Sequence, residues 1–251
     1  MKTCLLLALT LVLGACVGPA RSPAPESPVA ACSPALEATE QPQEKAPEKA
    51  PRKFTRRVVV TTGVHGNEPS GYLVQETLSA DGFVVFGPCN PWGIQNNKRE
   101  MEDGRDLNRL FGDATVAQVK AVHDFLSANR PDLLLDLHED PTGAKGPYLI
   151  QNGPKSDIGR RIIEALRDEY AWDPAPAWGP VKGEDGLIKP TSQMLAWQKS
   201  FKVYSLAAYA YFEYGVPTLT VEVPGEWDME RKKAYQLKVC RVARELLESG
   251  P

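Results

Sequence analysis

The chain has 251 residues, 42% of them apolar, and a formal net charge of −3. This size and composition belong to a globular protein that can bury a substantial core. The acidic balance removes any bulk electrostatic reason to expect nucleic-acid binding.

In chain order, residues 1–16 read as an export signal. Met1 and Lys2 form a basic start, Leu5 to Leu13 an apolar core, and Gly14-Ala15 supply small residues before Cys16. The apolar run is too short for a transmembrane helix. The pattern resembles the lipobox of bacterial lipoproteins. That resemblance implies a lipid anchor at Cys16, hence membrane attachment in the bacterial cell envelope, periplasmic or on the outer surface. An ordinary cleaved signal peptide is the alternative. Residues 17–53 are rich in Pro, Ala, Glu and Lys. Such a segment lacks the apolar surface needed to offset its ordering entropy, and it is expected to be a disordered tether. Residues 54–251 remain for one folded domain. After the signal, Cys32, Cys89 and Cys240 are left; an oxidising compartment permits a Cys89–Cys240 bond without demanding one.

The β-branched run Val58 to Thr62 predicts a buried strand, ended by Gly63. A helix is expected from about Glu68, with Pro69 in its first turn and Leu73, Val74 and Leu78 on one face. Phe83–Phe86 predicts a second strand. Val116, Val119, Val122 and Leu126 have helical spacing over 115–129. Leu133 to Leu137 predicts a strand followed directly by His138, and Tyr148–Gln151 another. Ile158, Ile162, Leu166 and Tyr170 mark a helix, Pro217–Val223 a strand, and Met229–Leu247 a long amphipathic helix. Strands apolar on both faces, alternating with helices, predict an α/β fold with a mixed, largely parallel central sheet flanked by helices. Ligands in such folds bind beyond the carboxyl ends of the strands, where His65, His138 and Glu222 fall.

Zinc in hydrolases commonly takes three ligands from His and carboxylates and keeps one position for water. His65 and Glu68, three apart across a strand–helix turn, can face one ion, with Gly63 and Gly66 letting the backbone bend. His138 completes the set from a neighbouring strand, and Asp136 or Glu139 could hold its ring. His123 is the remaining histidine of three; it lies in a predicted helix without ligand-like neighbours and reads as structural. The stretch from Asn96 to Phe111 is polar and basic. It includes Arg99, Arg105, Asn108 and Arg109, and guanidinium groups can clamp a carboxylate with two parallel hydrogen bonds.

His65-Gly66-Asn67-Glu68, Asp106-Leu107-Asn108-Arg109, Asp136-Leu137-His138-Glu139 and Thr220-Val221-Glu222, in that order, resemble the zinc carboxypeptidases of the carboxypeptidase A type. That superfamily includes the succinylglutamate desuccinylase/aspartoacylase branch. The resemblance implies one zinc ion on His65, Glu68 and His138, and Glu222 as the general base passing a proton from water to the leaving amine. It implies Arg99 at the oxyanion, with Arg105 competing for that role, and Asn108 and Arg109 on the substrate's terminal carboxylate. The family often carries a mobile tyrosine; Tyr204, Tyr209, Tyr211 and Tyr214 fall in its region and none is clearly the match. The expected activity is a zinc metallocarboxypeptidase acting on peptides, with murein-type peptides suggested by the export signal. A deacylase of N-acyl amino acids is the alternative on the same metal site. A non-catalytic envelope lipoprotein that uses the fold for binding is a third reading. Either substrate would carry a free carboxylate.

Overall fold

A computed structural model describes residues 55–250 apart from Pro154; the signal, Cys16 and the tether lie outside the described residues. The elements are β1 (Val58–Thr62), α1 (Ser70–Leu73), α2 (Gln75–Ala80), β2 (Val84–Phe86), α3 (Pro91–Asn96) and α4 (Ala117–Ala128). They continue with β3 (Leu133–Asp140), β4 (Tyr148–Asn152), α5 (Ile158–Ala165), β5 (Ala177–Trp178), β6 (Val181–Lys182) and β7 (Leu187–Ile188). The last four are α6 (Ser192–Phe201), α7 (Leu206–Tyr214), β8 (Thr218–Pro224) and α8 (Met229–Ser249). A six-stranded sheet runs in the order β2-β1-β3-β8-β4-β7. β2, β1, β3 and β8 pair in parallel, and β4 runs antiparallel to β8. The expected mixed, largely parallel sheet flanked by helices is what forms.

Alternation along the strands assigns residues to the two faces. Val58, Val60, Leu133, Leu135, Leu219 and Val221 pack with Tyr235, Val239 and Ala243 of α8 and Ile162 of α5. Val59 and Leu134 pack on the other face with Val119, Val122 and Leu126 of α4 and Leu206 and Ala210 of α7. Cys240 belongs to the first cluster and Cys89 to the second; both are free and buried, so they do not form a disulfide.

Several expected boundaries move. The helix after Glu68 breaks at Val74 into α1 and α2. α5 stops at Ala165, yet Leu166 and Tyr170 still pack on the core, carried by turns. β3 does not end before His138. It runs to Asp140 because β8 pairs with it as far as Pro224. α3, α6 and α7 and the short strands β5, β6 and β7 had no periodic signal strong enough to be expected.

Candidate active site

The second face of the sheet changes character along its strands. On β3 the inward series goes from Leu134 to Asp136 to His138, and on β8 from Thr218 to Thr220 to Glu222. The register sets His138 beside Glu222 and Asp136 beside Thr220. Antiparallel β4 adds Tyr148 opposite Glu222, Ile150 opposite Thr220 and Asn152 opposite Thr218. Strand spacing of about 4.8 Å therefore lines up one polar row, His138–Glu222–Tyr148, at the carboxyl ends of β3 and β8.

His65 arrives from β1 through a turn with two glycines that no other residue could replace. Gly63 has φ +66°, and a Cβ on Gly66 would lie 1.8 Å from the Gly93 carbonyl carbon. That approach docks the motif on α3. Asn90 caps α3 by accepting from Gly93 N, and Gly66 N donates to Lys98 O, which sets Arg99 beside His65.

His65 Nδ1 lies 2.7 Å from Glu68 Oε1, and His138 Nδ1 lies 2.8 Å from Glu68 Oε2. All three side chains are buried. The other ring nitrogens are held by carboxylates: His65 Nε2 is 3.1 Å from Asp106 Oδ1, and His138 Nε2 is 3.0 Å from Asp136 Oδ2. Thr61 donates its hydroxyl to Asp136 Oδ1 at 2.8 Å. Burial pushes the Glu68 carboxyl up, but charge and hydrogen bonds from His138 and His65 outweigh it and hold the group well below the usual carboxylate range. Burial likewise disfavours the His138 imidazolium, and Asp136 and Glu68 overcome that penalty and raise its pKa.

The donor set fits a metal ion. One potential ligand atom from each of His65, Glu68 and His138 lies within 4.8 Å of the others. Both Nδ1 atoms face one carboxylate, and both Nε2 atoms are fixed by acidic partners, as metal-bound imidazoles usually are. Two nitrogens and a carboxylate oxygen are a normal zinc set.

A cleft of about 400 Å³ opens over this cluster and includes Arg99, Asn108, Arg109, Tyr148, Trp178 and Glu222. His65, Glu68, His138, Arg99, Asn108, Arg109 and Glu222, all nominated from the sequence, thus line one cleft. Glu222 is partly buried beside His138. Burial pushes its carboxyl up to about 8 against the pull of His138, with Glu68, Asp140 and Asp136 adding to the rise. Arg99 donates to Glu68 Oε1 at 3.0 Å and to Asp106 Oδ2 at 3.2 Å. Arg105 is instead exposed and paired with Asp103, away from the cleft. Asn108 Oδ1 accepts from Leu206 N, so Nδ2 is the donor it can offer. Arg109 Nη1 donates to the Asn108 carbonyl. His123 bonds the Phe111 carbonyl and stacks on Tyr209, a structural placement.

Sequence reasoning missed three features. Asp106 was read only as part of a motif; the need of a ligating imidazole for a second partner was the signal for it. Tyr148 is the tyrosine that lines the cleft, its hydroxyl donating to Asp140 Oδ2 at 2.9 Å. Tyr204, Tyr209, Tyr211 and Tyr214 make ring contacts with their neighbours instead. Glu139 does not hold a histidine ring; it accepts from Ser70 N and pairs with Lys232 at 2.6 Å.

Residues 55–241 match the model of the succinylglutamate desuccinylase/aspartoacylase catalytic domain. The chain belongs to this family. A stretch of 103 residues is 33% identical to the "probable aspartoacylase" of Acaryochloris marina (strain MBIC 11017), covering 33% of this chain and 34% of that protein. The match therefore spans about a third of the relative's length. A Shewanella baltica protein provisionally called a metallopeptidase shares the fold, with TM-score 0.58 at 16% identity, covering 78% of this chain and 76% of that one. The D,L-carboxypeptidase Csd4 of Helicobacter pylori, solved with mDAP bound, superposes with TM-score 0.57 at 16% identity, over 78% of this chain and 51% of its own.

Proposed function

We propose that this family member is a zinc-dependent carboxypeptidase, cleaving the amide bond next to a substrate's terminal carboxylate. We place it in a bacterial envelope, held by a lipid at Cys16 and a tether over 17–53, where murein-type peptides would be within reach. The observation that carries the reading is the convergence of Glu222, Arg99, Asn108 and Arg109 on one cleft with His65, Glu68 and His138.

His65, Glu68 and His138 would hold one zinc ion. Zinc bound there would supply Lewis acidity toward water and the scissile carbonyl. Glu222, one strand from His138, takes a proton from the attacking water as its oxygen bonds to the carbonyl carbon. It then gives that proton to the amide nitrogen as the C–N bond breaks. A carboxyl raised by burial against the pull of His138 is suited to both transfers. Arg99, half-buried on a long stem, can turn from Glu68 toward the oxygen on which negative charge develops. Arg109 and Asn108 Nδ2 bind the carboxylate and fix which bond reaches Glu222.

The family match favours a second reading, deacylation of N-acyl amino acids by the same groups. One experiment separates these readings. The purified chain, loaded with zinc, is offered C-terminally free peptides, murein peptides and N-acyl amino acids, in parallel with Glu222→Gln. Peptide hydrolysis that Glu222→Gln lowers by about 10²–10⁴-fold, with zinc retained, is expected. Turnover of N-acyl amino acids alone would shift the assignment to the deacylase. An undiminished Glu222→Gln would remove Glu222 as the base.

A further inference from the structure

Away from the cleft, α6 turns two aromatic rings to solvent. Trp197 is 51% exposed and Phe201 65%; among the described residues, Leu73 is the one other large apolar side chain left so open. Trp197 and Phe201 are one helical turn apart, so they share a face, and their ring centroids lie 5.2 Å apart. α6 packs on the domain through Leu195 and Gln198 instead. Beside it, Phe212 of α7 packs on Tyr204 and Tyr211, and Lys199 Nζ stands 5.8 Å from the Phe212 ring centroid. Residues 186–212, which include α6 and most of α7, carry Lys189, Lys199 and Lys202 and no acidic residue, in a chain of net charge −3.

We infer that the Trp197–Phe201 face of α6 docks on the surface of an anionic phospholipid bilayer. The inference rests on the envelope placement proposed above for the bilayer being near. Aromatic rings are favoured at the level of the headgroups, and lysines lay their stems along the same surface with the ammonium in water. Apolar burial and charge attraction then act together on negative headgroups. A second copy of this chain is a poorer occupant. It would set like charges against each other, and two rings fall short of the apolar area a stable dimer buries. A lipid at Cys16 would hold the domain within about 30 Å of the bilayer, the mean span of an unstructured chain as long as 17–53. At the effective concentration such a tether gives, a small patch suffices to dock.

The test uses the full-length Cys16→Ser chain, which cannot be acylated. Amide hydrogen exchange is followed with vesicles of phosphatidylethanolamine and phosphatidylglycerol, and with vesicles of phosphatidylcholine alone. Exchange over 192–203 should slow on the anionic vesicles, and raised salt should reverse the effect. The slowing should be lost in Trp197→Ser/Phe201→Ser, which should keep the parent Tm because both side chains are exposed. Unchanged exchange on anionic vesicles, equal slowing on phosphatidylcholine, or slowing that survives the double variant would overturn the docking face. Slowing that follows chain concentration without vesicles would give the face to a second copy and overturn it as well. Metabolic labelling of the wild-type chain with palmitate in a bacterial host reads the anchor separately. Docking without label at Cys16 keeps the docking face and removes the anchor; label without docking does the reverse.

Discussion

Each imidazole of the cluster turns Nδ1 to Glu68 and Nε2 to a carboxylate of its own. Asp136 and Asp106 fix the rings and keep the Nδ1 lone pairs aimed at a common point. Replacing either by asparagine keeps the shape and removes the charge that makes the ring a better donor. Asp136→Asn and Asp106→Asn should each lower zinc affinity by about 10–100-fold, measured by competition with a chelator of known affinity. Wild-type affinity in both variants would mean that the rings are fixed by packing instead. Asp136 could be suspected from the sequence, two residues before His138 on a strand, where both side chains share a face. Asp106 could not, because it comes from a loop 41 residues past His65 and reaches the ring only through the fold.

α8 shows how an element far along the chain braces this site. Its buried face is apolar at Tyr235, Val239, Cys240 and Ala243, but the same stripe carries Lys232 and Gln236. Lys232 Nζ donates to Glu139 Oε2 at 2.6 Å, and Gln236 Nε2 donates to the His138 carbonyl at 3.1 Å. Glu139 N in turn donates to Glu68 Oε2. One helix thus grips the strand end that delivers a candidate ligand. Removing one partner of a buried ion pair leaves the other charge uncompensated. Lys232→Met should therefore cost about 3–5 kcal/mol in denaturant unfolding. Lys232→Arg, which can keep the charge contact, should cost less. A Lys232→Met chain as stable as wild type would show that the pair contributes nothing net. The amphipathic period of this helix was legible over Met229–Leu247, and Lys232 and Gln236 in its buried stripe were the overlooked sign of a polar partner beneath.

For the whole molecule, an ion bound only by the folded state must add stability. Zinc at about 100 times its dissociation constant should raise unfolding free energy by about 2.7 kcal/mol. For a domain of this size that is roughly 5–10 °C in Tm, read by calorimetry with and without chelator. No shift would count against the triad as a zinc site. The sequence by itself pointed to the main strands β1, β3 and β8, because short apolar runs rich in β-branched residues or leucine, with Gly or Pro nearby, fit strands buried on both faces. It also determined which residues cluster at their ends, because the family motifs sit there in order. It could not determine β5, β6 and β7, each two residues long, whose pairing partners are its only signal. Nor could it show that His138 lies inside β3. Only tertiary structure decided that, along with the row His138–Glu222–Tyr148. Strand register between distant segments is a property of pairing and packing, which no local pattern encodes.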